Sequence, residues 1–149
     1  MKAFGKLLKL FCAALLGMLG FSACEHTKDM YGTPTTDFLY EGCVTDEDGN
    51  PIKGINVVLR GEINGSSISS ITLKTDNDGN FSTEPISSHK AIVETIDFVD
   101  VDGEANGGDF ESLTISPEDD MKKTQTKEGD GSWYKGEFEY SVDIKLKKK

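Results

Sequence analysis

The sequence predicts an all-β fold, a single seven-stranded antiparallel β-sandwich behind an export signal and a flexible tether. Three observations carry this reading. Apolar and polar residues alternate in a series of short segments from Phe38 to the C-terminus. Asp-Gly turn signals separate several of them, at Asp48-Gly49, Asp78-Gly79 and Asp102-Gly103. No segment of the mature chain shows the apolar spacing of an amphipathic helix.

The N-terminal segment reads as a processing signal and lies outside the fold. Lys2, Lys6 and Lys9 form a positive region, followed by apolar residues and glycine from Leu10 to Phe21. That run is well short of the roughly 20 residues a spanning helix needs. It ends in Leu19-Gly20-Phe21-Ser22-Ala23-Cys24, where small residues stand directly before a cysteine. This stretch resembles the lipobox of bacterial lipoproteins. The resemblance implies a signal peptide over 1–23, removed by cleavage before Cys24, and lipid on the Cys24 sulfur. Several acyl chains anchor firmly where one holds only marginally. The expected address is the cell envelope, with the outer membrane favoured and the domain outside the cytoplasm. Phe21 is an unusual residue for its place in that pattern, so cleavage after Ala23 with a free Cys24 thiol is the competing reading.

Residues 24–36 are polar, contain Gly32 and Pro34, and read as a lipidated tether; the sandwich is expected over 37–149. Phe38, Tyr40 and Val44 alternate, with Gly42 on their side. After the turn at 46–51, Ile55, Val57 and Leu59 mark the second strand, and Ile71 and Leu73 the third. Phe81 opens a short strand that Pro85 stops. An apolar stretch from Ala91 to Val99 follows, then Phe110, Leu113 and Ile115. Residues 117–132 are polar and read as a long loop. The final strand is clearest: Phe138, Tyr140, Val142, Ile144 and Leu146 face one way, and Glu137, Glu139, Ser141, Asp143 and Lys145 the other.

Composition excludes some partners. Removal of the signal leaves 13 basic against 26 acidic residues. Such a chain repels nucleic-acid phosphates and anionic lipid surfaces, so the membrane contact expected is the covalent anchor alone. Cys12 leaves with the signal and Cys24 carries lipid, which leaves Cys43 without a disulfide partner. No sequence-local base accompanies Cys43, and it reads as a packed thiol.

The stretch from Gly42 to Val57, with Asp46-Glu47-Asp48-Gly49-Asn50-Pro51 at its centre, resembles the opening of carboxypeptidase-regulatory-like domains. Thr75-Asp76-Asn77-Asp78-Gly79-Asn80-Phe81 resembles their next hairpin. The resemblance implies a transthyretin-like (prealbumin-like, Ig-like) sandwich. A narrower likeness rests on Met30-Tyr31-Gly32-Thr33-Pro34, on the loop Asp100 to Gly108, and on Gly131-Ser132-Trp133-Tyr134-Lys135-Gly136. This set is similar to the radical SAM-associated lipoproteins. It implies a radical SAM enzyme as partner or maturase, and brings no catalytic residues with it.

Three acidic loops supply the sharpest candidate site. In an up-and-down sandwich, connections 46–51, 75–80 and 100–109 share one end. They place Asp46, Asp48, Asp76, Asp78, Asp100, Asp102, Glu104, Asn106 and Asp109 there, hard oxygens of the kind Ca2+ takes. Against this, Asp-Gly pairs simply make good turns, and none of the loops has the EF-hand spacing. Trp133 and Tyr134 are candidates for a glycan- or peptide-binding platform, or else for core packing. An enzyme is not expected. His26 lies in the tether and His89 near a strand start, so no Ser-His-Asp set or zinc cluster assembles. Intradiol dioxygenases, on a related sandwich, use two tyrosines and two histidines on iron, which the mature chain does not offer in a folded scaffold.

Overall fold

The computed structural model describes residues 32–63, 66–90 and 92–149. The segment expected to be a signal peptide, with Cys12, and Cys24, His26, Met30 and Tyr31 lie outside the described residues. Thr33 to Lys149 form one compact unit, an all-β sandwich of two sheets.

The strands are β1 (Thr35–Thr45), β2 (Asn56–Ile63), β3 (Ser66–Lys74), β4 (Asn80–Ser82) and β5 (Ile86–Ser88), then β6 (Val93–Val99), β7 (Leu113–Ile115), β8 (Lys122–Glu128) and β9 (Tyr134–Lys145). A single helical turn, α1 (Pro117–Asp120), links β7 to β8. The first sheet has the order β4-β1-β9-β8, with β5 also pairing β1. The second has the order β3-β2-β6-β7.

The sandwich follows the expected pattern, with two differences in detail. Among the described residues it has nine strands where seven were expected, because β5 and β8 are strands as well. Its pairing is also not wholly antiparallel: β1 and β9, the first and last strands, run parallel from Thr35↔Tyr134 to Thr45↔Lys145. Alternation within a segment reveals a strand but not the direction of its neighbour. β8 lies in the segment expected to be a loop, and every one of its residues is exposed. With no buried face it has no apolar period, and its backbone pairs with β9. The sandwich also begins at Thr35, two residues before the expected boundary.

The parallel register sets the core. Phe38 lies beside Phe138, Tyr40 beside Tyr140, Gly42 beside Val142 and Val44 beside Ile144. The Tyr40 and Tyr140 rings stack 5.1 Å apart at 15°. Burial pushes the Tyr40 hydroxyl pKa up to about 12, so both rings stay neutral and function as core. From the second sheet, Val57, Leu59, Ile96 and Phe98 face them, all buried. Phe81 of β4 reaches Phe98 of β6 edge-on at 5.6 Å, an aromatic clasp between the sheets.

Gly42 makes that clasp attainable. A Cβ there would stand 2.2 Å from the Val142 carbonyl and 2.9 Å from the Phe81 ring. A side chain at position 42 would therefore displace both the neighbouring strand and the aromatic that joins the sheets. Gly42→Ala is expected to lower stability by about 1–3 kcal/mol, the usual cost of overpacking, as read from the urea midpoint. A variant as stable as the parent would show that Phe81 is not seated over Gly42.

Candidate functional site

The strand directions do bring the three acidic loops to one end. β1 runs into turn 46–51, β3 into turn 75–80 and β6 into loop 100–109. Val44 N–H donates to the Gly79 carbonyl at 2.8 Å, and Gly54 N–H to the Thr75 carbonyl at 3.0 Å, so the first two turns abut. A Cβ on Gly54 would lie 3.1 Å from Asp102 Oδ2, which brings the third loop alongside.

Proximity does not make these acids a shared ligand set. The leading aspartate of each loop closes its own turn. Asp46 Oδ1 accepts the N–H groups of Asp48 at 3.0 Å and Asn50 at 2.8 Å. Asp76 Oδ1 accepts those of Asp78 and Asn80, both at 2.9 Å. Asp100 accepts from Asp102 at 3.1 Å and, through its other oxygen, from Phe110 at 3.0 Å. Three of the remaining candidates have side-chain partners. Asn106 donates to Asp102, while Asp109 pairs with Lys149 at 2.8 Å. Among the described residues no group of three or more His, Cys, Asp or Glu side chains stands ready to hold a metal ion. The same cap recurs at the opposite end, where Asp130 Oδ1 accepts from Ser132 at 2.8 Å and Tyr134 at 3.0 Å. One device, an aspartate accepting from the second and fourth following amides, thus shapes three tight turns.

Trp133 and Tyr134 sit at the end of the sandwich where β1 begins, and both are half-buried. The Trp133 carbonyl accepts from Thr35 N–H at 2.7 Å and so fixes the start of β1. The Tyr134 hydroxyl donates to Asp37 Oδ2 at 3.0 Å. From there a polar belt crosses the outer face of the first sheet. Ser87 of β5 donates to Asp37 of β1, and Asp37 is in register with Glu137 of β9. Glu137 accepts from Thr126 at 2.8 Å and Lys127 at 2.6 Å, both on β8. Glu137 is only 7% exposed, although it stands on the polar side of its strand. Lys127 draws its carboxyl below the ordinary carboxylate range, and Glu137 in turn raises Lys127. This belt was not read from sequence, because it depends on β8 being a strand and on β1 lying beside β9.

A groove of about 590 Å³ lies on the same outer face, towards the acidic end. Glu41, Cys43, Asp76, Ser82, Lys122 and Asp143 line it. The Cys43 thiol donates to the Asp78 carbonyl at 3.6 Å. Burial, then Asp143, Asp76 and Asp78, push its pKa up. Cys43 is therefore a neutral thiol and a weak nucleophile at neutral pH.

No family model and no curated protein matches the sequence. Among solved structures the chain is similar to 3-chlorocatechol 1,2-dioxygenase from Rhodococcus opacus 1CP, with a TM-score of 0.50 and 14% identity. The match covers 81% of this chain and 62% of that one, so the chain spans less than two thirds of the dioxygenase. Identity this low carries the fold alone. It nonetheless corrects the expectation that the chain is not an enzyme. The solved structure is itself an enzyme on a like sandwich, so the architecture does not exclude catalysis, which resides in sites built onto a fold. The inventory argument reached only the histidine- and cysteine-based chemistries it named.

Two measurements check the site. Asp46, Asp130 and Glu137 are held below their ordinary pKa values, mainly by Asn50, the Ser132 amide and Lys127 respectively. Groups depressed in the folded state stabilise above their unfolded pKa, and that contribution is lost as pH falls through the folded one. Thermal midpoints are therefore expected to drop between about pH 5 and pH 3. Asp130→Asn, which keeps an acceptor oxygen but cannot titrate there, should show a shallower drop; a flat profile in the parent would contradict the account. Millimolar Ca2+ against chelator should leave the melting temperature unchanged, since Asp46, Asp76 and Asp100 each already accept amides of their own turn. A rise of several degrees would establish a calcium site at this end.

Proposed function

We propose that the chain is a lipid-anchored sandwich of the bacterial cell envelope that presents its acidic end and the adjoining groove to a partner. One observation carries the reading. The segment bearing Cys24 joins the sandwich at the start of β1, and the three acidic turns lie at the far end of that same strand. The Thr35 end and the acidic loops are thus opposite ends of the sandwich. The apolar run and small residues before Cys24 support the anchor, and the sequence likeness to radical SAM-associated lipoproteins supports a radical SAM enzyme as the partner or maturase.

A second reading, glycan or peptide capture, draws on Trp133, which is half-buried rather than sealed in the core. Dose-dependent binding on a glycan or peptide array, abolished by Trp133→Ala, would favour it over the first; silence would count against it.

The anchor is tested in membranes of the native host. Wild-type protein is expected in the membrane fraction with acyl mass on Cys24. Cys24→Ser should move it to the soluble fraction or leave it unprocessed. Protein with an unmodified Cys24 thiol in the soluble fraction would overturn the proposal.

A further inference from the structure

Two tripeptides in the chain have the Asn-x-Ser form of an N-glycan acceptor, Asn64-Gly65-Ser66 and Asn80-Phe81-Ser82. The second lies entirely within β4, where its geometry can be read. Successive side chains of a strand point to opposite faces. Phe81 accordingly lies in the core at 4% exposure, while Asn80 and Ser82 are exposed on the outer side. The carboxamide and the hydroxyl two residues on thus share one solvent-facing surface.

The backbone of Asn80 is held without using its side chain. Its N–H donates to Asp76 Oδ1 at 2.9 Å, and its carbonyl accepts from Asp76 N–H at 2.9 Å. Both residues border the groove on the outer face of the first sheet, which leaves open volume beside the carboxamide. β4 is also a three-residue strand at the edge of that sheet. A bulky polar group there shields an edge that otherwise invites pairing with another chain.

We propose that Asn80 is a site of N-glycosylation. The donor class is an oligosaccharide carried on a polyprenyl pyrophosphate. A bond forms between Asn80 Nδ2 and the anomeric carbon of the first sugar. The bond from that carbon to the pyrophosphate oxygen breaks, the lipid pyrophosphate leaves, and the carboxamide gives up one proton. Nothing is oxidised or reduced. The glycan would stand over Glu41 and Cys43 and narrow access to the groove. The inference rests on export of the chain, since the fold supplies the exposed acceptor and the leader brings it to a membrane.

The test is mass spectrometry of the full chain from its native host after tryptic digestion. Cleavage at Arg60, Lys74 and Lys90 places Asn64 and Asn80 in different peptides. The Asn80 peptide is expected to gain the mass of a whole number of sugar residues. Asn80→Gln and Ser82→Ala should each abolish that gain, with melting temperatures of the unglycosylated forms unchanged. An Asn80 peptide at its encoded mass, beside acylated Cys24, overturns the glycan and leaves export standing. Encoded mass at both overturns the two together, and sugar confined to Asn64 overturns the assignment to Asn80.

Discussion

The parallel pairing of β1 with β9 is the constraint on which the rest of the sandwich depends. These are the two longest strands and they lie at opposite ends of the sequence. Their shared inner face supplies Phe38, Tyr40, Val44, Tyr140 and Ile144, most of the first sheet's contribution to the core. Every other strand of that sheet pairs with one of these two. The N-terminal strand, which also pairs with β4 and β5, completes its place in the sheet when the C-terminal one joins it. Closing a loop of that length costs entropy before the contacts return it, so formation of this pair is expected late in folding.

The same pairing gives the molecule two unlike ends. At the start of β1, the Trp133 carbonyl holds Thr35 and the Asp37–Glu137 belt ties four strands together across the outer face. Mechanical load from a tether would enter there, where the hydrogen bonds cross strands. At the other end, three turns are closed by their own aspartates, and the C-terminal residues fold back, with Lys149 paired to Asp109. Turns of this kind need neither a metal nor long-range contacts to keep their shape. A cross-braced start of β1 and a set of self-closed loops are what the proposed anchored presenter would need.

Much of this was legible in the sequence where burial imposed a period. Ile55, Val57 and Leu59, the alternating residues of β9, and Gly42 among the inward positions of β1 all stand where the pattern placed them. The convergence of the acidic loops was legible too, because turns after strands of like direction share an end. What escaped was whatever lacks a buried face or depends on a distant neighbour. β8 carries only exposed residues, and its Lys and Thr side chains look the same in a loop or on a sheet edge. Glu137 reads as solvent-facing until β8 lies over it. The turn aspartates read equally as calcium ligands or as caps, since both need the same oxygens, and the hydrogen bonds show them acting as caps.

The first and last strands are expected to form one cooperative unit, which amide hydrogen exchange on the full chain tests most directly. Amides of residues 38–44 and 138–146 are expected to exchange last and together, with the free-energy cost of global unfolding. Exchange of the β9 amides as fast as those of the exposed β8, while residues 38–44 stay protected, would contradict it.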